Sequence, residues 1–141
     1  MAKIRHIAIS SQDPETAKKF YMDVFGLQFV RKTERPTHWG YILSDGYINV
    51  AILKFSSDAA AGKELGAGYS GLHHIGFHVE DVEESSKKVT SAGGHVRNDI
   101  DEAFGVAHAK AGRGGGEYKY ADPAGVLFDL SQGGWATGST M

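Results

Sequence analysis

Polar and apolar positions alternate in two short stretches of the chain. In Ile4 to Ser10, Ile7 and Ile9 alternate with His6, Ala8 and Ser10; in the second, Ile75, Phe77 and Val79 alternate with His74, Gly76 and His78. A period of two is the mark of a strand with different surroundings on its two faces. Behind each stretch stands an Asp and then helical spacing. Asp13 is placed as an N-cap with Pro14 at the first helical position, where a missing N–H costs nothing. Ala17, Phe20, Tyr21, Val24 and Phe25 recur at i, i+3, i+4, i+7 and i+8, which predicts a core-facing stripe ended by Gly26. In the second copy Asp81 caps, Glu84 completes a capping box, and Val82, Val89 and Ala92 are the main apolar positions before Gly93-Gly94.

Three strands follow each helix. The first set is Leu27 to Lys32, His38 to Leu43 and Tyr47 to Phe55, with Asp45-Gly46 as a hairpin turn. The second is His95 to Asp99, Glu117 to Tyr120 and Val126 to Ser131, with the turn Asp122-Pro123-Ala124-Gly125. Each half therefore reads β-α-β-β-β. Sliding the chain by 68 residues supports a true repeat: His6-Ile7 falls on His74-Ile75, and Asp13, Glu15, Lys19 and Gly26 fall on Asp81, Glu83, Lys87 and Gly94. That is six identities over 21 positions without a gap, at places that carry structure in both copies. The expected organisation is one α+β domain over 1–141: a module at 1–55, a linker at 56–70, a second module at 71–133 and a tail at 134–141. The stretch from Ile100 to Gly116 reads as an irregular loop, too rich in glycine to pack.

The alternation also assigns sides. Ile7, Ile9, Ile48, Val50, Ile52, Ile75, Phe77, Val79, Phe128 and Leu130 are expected beneath the helices. The opposite face then carries His6, Asn49, His74, His78 and Asp129, with Ala8, Ala51 and Gly76 leaving room between them. Imidazoles and a carboxylate beside empty volume describe a cavity lining better than a packed core.

Composition narrows the chemistry. With 41% hydrophobic and 23% charged residues the chain is globular in type. Its 15 basic and 17 acidic side chains show no long run of one sign, which argues against nucleic-acid or membrane-surface partners. The absence of cysteine excludes disulfides, thiolate catalysis and Cys-ligated metals. The N-terminal residues contain no apolar signal core, so a cytoplasmic protein is expected.

What remains is seven histidines in a short chain. His6, His74 and Asp129 form a candidate 2-His-1-carboxylate set, which suits a divalent first-row metal and leaves positions open for substrate. His78 lies four strand residues past His74, about 13 Å at ~3.3 Å per residue, too far to share a metal with it. It is assigned with Asn49 to substrate contact. By its flanking residues, Ile48-Asn49-Val50 matches Phe128-Asp129-Leu130, which would put Asn49 at the place related to Asp129. Tyr118, Tyr120 and His108 are candidates for catalysis. His73 is expected on the helix side in a structural role. Gly114-Gly115-Gly116 fits neither a P-loop nor a dinucleotide fingerprint.

The stretches Arg5-His6-Ile7-Ala8-Ile9, Asp13-Pro14 through Phe20-Tyr21 to Phe25-Gly26-Leu27, Gly71-Leu72-His73-His74-Ile75-Gly76-Phe77, and Asp122-Pro123-Ala124-Gly125 with Asp129 resemble the vicinal oxygen chelate superfamily. This is the group of glyoxalases, bleomycin-resistance proteins and extradiol dioxygenases. The resemblance implies two βαβββ modules forming an open, cupped mixed sheet around a central metal cavity, often in a homodimer. It selects His6 and His74 over His73 as ligands, with Asp129 where Glu is the commoner carboxylate. Asn49 stands where glyoxalase I-type enzymes carry Glu, and Lys119 where extradiol dioxygenases carry a tyrosine. The expected function is a divalent-metal enzyme (Fe, Mn, Ni, Co or Zn) acting on a small molecule that chelates the metal through neighbouring oxygens, with a slight lean to dioxygenase chemistry. The alternatives are a glyoxalase-type lyase or isomerase, and a non-catalytic small-molecule-binding protein.

Overall fold

The computed structural model describes residues 1–105 and 117–138. They divide into two compact units, one from 6–73 with the C-terminal residues from 136, the other from 1–5 with 74–135. The family of elements in each follows the βαβββ order read from the sequence.

In the first unit the order is β1 (Lys3–Ser10), α1 (Pro14–Phe25), β2 (Gln28–Arg35), β3 (His38–Ser44) and β4 (Asn49–Phe55). The strands lie side by side as β2-β3-β4-β1, with β1 parallel to β4 and the others antiparallel. Helix α1 begins where the cap predicts, the Asp13 carboxylate accepting from the Thr16 backbone N–H at 3.2 Å and its hydroxyl at 2.7 Å. It ends at Gly26, whose φ of 69° is the left-handed conformation that glycine adopts without cost.

The expected apolar stripe of α1 is corrected by one position. Phe20, Val24 and Phe25 are 52%, 57% and 66% exposed, while Pro14, Ala17, Lys18, Tyr21 and Met22 are the covered line. Lys18 is the reason. Its ammonium lies 4.4 Å from the centre of the Tyr41 ring and 5.8 Å from that of Phe29. An amphipathic lysine thus takes an inward position through its stem and its cation–π contact.

Strand β4 starts at Asn49 instead of Tyr47. The Asp45 carboxylate accepts from the N–H groups of Tyr47 and Ile48 at 2.9 and 2.7 Å, closing a side-chain turn that uses up 45–48. Gly40 shows how closely β3 and β4 approach, because a Cβ there would overlap the Ile52 carbonyl oxygen. Gly40→Ala is therefore expected to lower stability by about 3 kcal/mol, the upper range for overpacking. A denaturant midpoint equal to that of the parent would refute this close approach.

The second unit holds β5 (Gly71–His78), α3 (Val82–Ser91), β6 (His95–Val96), α4 (Asn98–Ala103), β7 (Glu117–Ala121) and β8 (Leu127–Ser131). The strands run β5-β8-β7-β6, again with first and last parallel. Val79, Val82, Tyr118, Tyr120 and Leu130 form its core, with Phe77, Val89, Val96 and Phe128 packed against them. Phe77, Val79, Phe128 and Leu130 are thus on the expected side, whereas Ile75 is partly exposed.

Two expectations for the connecting segments change. The strand expected over His95 to Asp99 stops at Val96, and α4 follows with Ile100 buried. A bidentate Arg97–Asp99 pair, at 3.0 and 2.9 Å, stands at its start. The segment at 56–70 carries a short helix, α2 (Asp58–Ala61), capped by the Ser57 hydroxyl. No helix among the described residues is long and apolar enough to cross a membrane.

Candidate metal centre

Strand parity delivers the polar residues to the expected face in each unit. In the first, His6 lies directly beside Asn49 in the parallel register of β1 and β4. His6 Nδ1 and Asn49 Oδ1 are 2.7 Å apart, and both residues are buried. Asn49 Nδ2 donates to the Ala136 carbonyl oxygen at 2.7 Å. A carbonyl can only accept, so this bond fixes which end of the amide faces His6. Its oxygen faces the ring, His6 Nδ1 must carry the hydrogen, and Nε2 is left as the lone-pair nitrogen.

In the second unit His74 Nε2 and Asp129 Oδ2 are 3.1 Å apart, with both side chains buried. The other oxygen, Oδ1, is 2.8 Å from the Lys119 ammonium, which is buried as well. Lys119 comes from β7, directly opposite Asp129 in the antiparallel register. Its backbone N–H donates to Asp101 Oδ1 at 2.9 Å, and its ammonium lies 5.4 Å from the centre of the Phe104 ring. Burial pushes the ammonium towards its neutral form. The charge of Asp129, aided by Glu117 and Asp101, more than offsets this and holds the Lys119 pKa above its ordinary value.

The donor set suits a first-row divalent ion. Two ligand atoms each ~2.0–2.2 Å from one metal, at right angles, lie about 3 Å apart. The His74–Asp129 spacing meets that requirement, and the imidazole-plus-carboxylate chemistry is of the right class.

Other candidates sit elsewhere. Tyr118 and Tyr120, the tyrosine candidates for catalysis, lie in the hydrophobic core of the second unit because their parity is opposite to that of Lys119 and Asp129. Burial raises the pKa of the Tyr120 hydroxyl above its ordinary value. His78 Nε2 is 3.0 Å from the Gln132 carbonyl oxygen, and its ring lies against Gly134. His73 is buried, 2.6 Å from the Ala61 carbonyl oxygen and 4.6 Å from the Phe55 ring centre, in the structural position expected. His108 lies outside the described residues.

The register corrects one equivalence. Ile7 pairs with Val50 and Ala8 with Ala51, while Ile75 pairs with Phe128 and Gly76 with Asp129. Since Ile7-Ala8 repeats as Ile75-Gly76, the residue equivalent to Asp129 is Ala51, and Asn49 corresponds to Leu127. Asn49 therefore holds a histidine where the second module has an apolar side chain. By the same register Lys119 corresponds to Ile42, the partner of Ala51. Lys119 is the residue sequence reasoning left without a role. The available signal was a single lysine between two aromatics in a strand facing an Asp-bearing neighbour.

A parallel pair joining the first and last strands of two repeated βαβββ modules defines a class of fold, and the comparisons agree with it. The Glyoxalase/Bleomycin resistance protein/Dioxygenase superfamily matches residues 3–130, and the chain belongs to that superfamily. Among solved structures, a hypothetical protein from Bacillus halodurans C-125 is similar at 21% identity and a TM-score of 0.69, over 92% of this chain and 93% of that one. A variant of Streptomyces coelicolor methylmalonyl-CoA epimerase, in complex with 2-nitronate-propionyl-CoA, is 25% identical with a TM-score of 0.65, over 91% and 92%. Methylmalonyl-CoA epimerase from Mycobacterium tuberculosis is 17% identical with a TM-score of 0.66, over 91% and 85%. No curated protein matches the chain.

Proposed function

We propose that the chain is a divalent-metal enzyme that isomerises or epimerises a small molecule able to chelate the metal through neighbouring oxygens. His6, His74 and Asp129 are its ligands in this reading. The observation that carries it is the buried His74–Asp129 pair with ligand-like spacing. A bound divalent metal supplies Lewis-acid stabilisation of the negative charge that develops on a substrate oxygen when a neighbouring carbon loses its proton.

The chain's own residues prepare for this. Asn49 holds His6 in the tautomer whose Nε2 has a lone pair to offer. Asp129 brings the carboxylate, and burial keeps competing water from both. Proton transfer at carbon is favoured over oxygenation by the 25% identical epimerase and by Lys119 standing where ring-cleaving relatives carry a tyrosine. The oxygenase reading keeps one point in its favour: three protein donors leave positions open for both substrate and oxygen.

Protein purified without chelators is expected to hold close to one divalent metal per chain by elemental mass spectrometry. It is then expected to exchange the hydrogen next to the carbonyl of an acyl thioester or 2-oxo acid with deuterium from solvent. Oxygen uptake without such exchange would move the assignment to the oxygenase reading. Absence of metal, with no uptake on addition, would overturn the enzyme reading and leave a binding protein.

A further inference from the structure

The two modules provide an internal comparison. At the place where β3 faces β4 the first module has Ile42 opposite Ala51, and the equivalent place in the second has Lys119 opposite Asp129. The fold can therefore be built there from apolar residues. A buried ion pair is a poor substitute on stability grounds, since desolvating two charges consumes most of what their attraction returns. An Asp in that place is explained by the proposed metal, but the lysine is not: it takes up the very carboxylate a metal would use, at 2.8 Å.

The charge count gives the lysine a purpose. Lys119 cancels Asp129, so the double charge of a divalent metal is left to be neutralised by whatever else enters. Among the buried groups, Lys119, Asp129, Asp101 and a divalent metal sum to a net positive charge, and Glu117, the other carboxylate acting on Lys119, is exposed to solvent that screens it. A buried site of that sign disfavours neutral chelators and favours anionic ones. We propose that Lys119 is a specificity-determining residue that restricts the site to anionic chelators, molecules with a carboxylate among their neighbouring oxygens, and that it competes with the metal for Asp129 until such a molecule binds. This rests on the metal reading above and adds the substrate class to it.

Oxalate, oxamate and oxamide present the same pair of neighbouring oxygens with charges of minus two, minus one and zero. Their binding to Mn²⁺-loaded protein, measured by calorimetry for the parent and for Lys119→Gln, tests the assignment. Mn²⁺ itself is expected to bind Lys119→Gln at least about tenfold more tightly, because a competing cation is gone. Oxalate is expected to weaken at least about tenfold, oxamate less, and oxamide hardly at all. If all three ligands change by one common factor, or none changes, while both proteins bind Mn²⁺, the role of Lys119 is overturned and the metal reading stands. If neither protein binds Mn²⁺ although both melt cooperatively, the metal reading fails and this proposal with it. Lys119→Arg covers the case in which the glutamine variant does not fold. Retained preference for oxalate over oxamide there supports the proposal, and lost preference overturns it.

Discussion

Asp129→Ala is expected to lower the free energy of unfolding of the metal-free protein by about 3–5 kcal/mol, the usual cost of leaving one buried charge without its partner. The loss comes from Lys119, whose ammonium would be left in the interior with its nearest counter-charge removed. Adding Lys119→Ile to the same chain is expected to recover most of that stability. The double variant rebuilds in the second module the Ile42–Ala51 pair that the first module already uses at the equivalent register. Replacement of a buried ion pair by well-packed apolar groups is often neutral or stabilising, so the double variant is expected to equal or exceed the parent. Denaturant unfolding of the parent, both single variants and the double gives the coupling directly. The double variant is expected to bind no metal. A single Asp129→Ala variant as stable as the parent would contradict the pairing, and a double variant no better than the single would contradict the equivalence of the two modules.

That equivalence also explains which features were legible in the sequence. Caps and parity were local and survived: Asp13 and Asp81 start their helices, and His6, His74 and Asp129 are buried as a period of two demands. The pairing of Asn49 with Asp129 failed for a specific reason. Sliding one strand past another by two residues leaves every side chain on the same face, so hydrophobic patterning cannot detect the slip. Only cross-strand register, which matches Ala51 with Asp129, reveals it. Lys119 was hidden in the same way, since its role depends on a neighbour ten residues along the chain that faces it across β7 and β8. The rotated stripe of α1 has a different origin. Patterning treats lysine as outward-facing, and the aromatic rings of Tyr41 and Phe29 gave Lys18 an inward place. Helix α4 was missed because its six residues, Asn98–Ala103, carry too little apolar periodicity to register.

His6→Ala is expected to abolish tight metal binding, and Asn49→Leu to weaken it by about 10–100-fold, the range found when a group that orients a ligating histidine is removed. The two effects separate a ligand from its support. Asn49 touches His6 through Oδ1, and its Nδ2 is anchored on the Ala136 carbonyl, so it sets ring orientation and tautomer together. Leucine is the informative replacement because Leu127 occupies the equivalent place in the second module and the strand there pairs normally. It keeps the bulk of the side chain and removes the acceptor. Without that acceptor the proton on His6 is free to move to Nε2, and the ring loses the orientation that aims its lone pair. The fall in affinity is therefore expected to be partial. Metal titration of the parent and both variants against a chelator of known affinity measures it. Equal and complete loss in the two variants would make Asn49 a ligand in its own right, and no loss in Asn49→Leu would show that His6 needs no support from it.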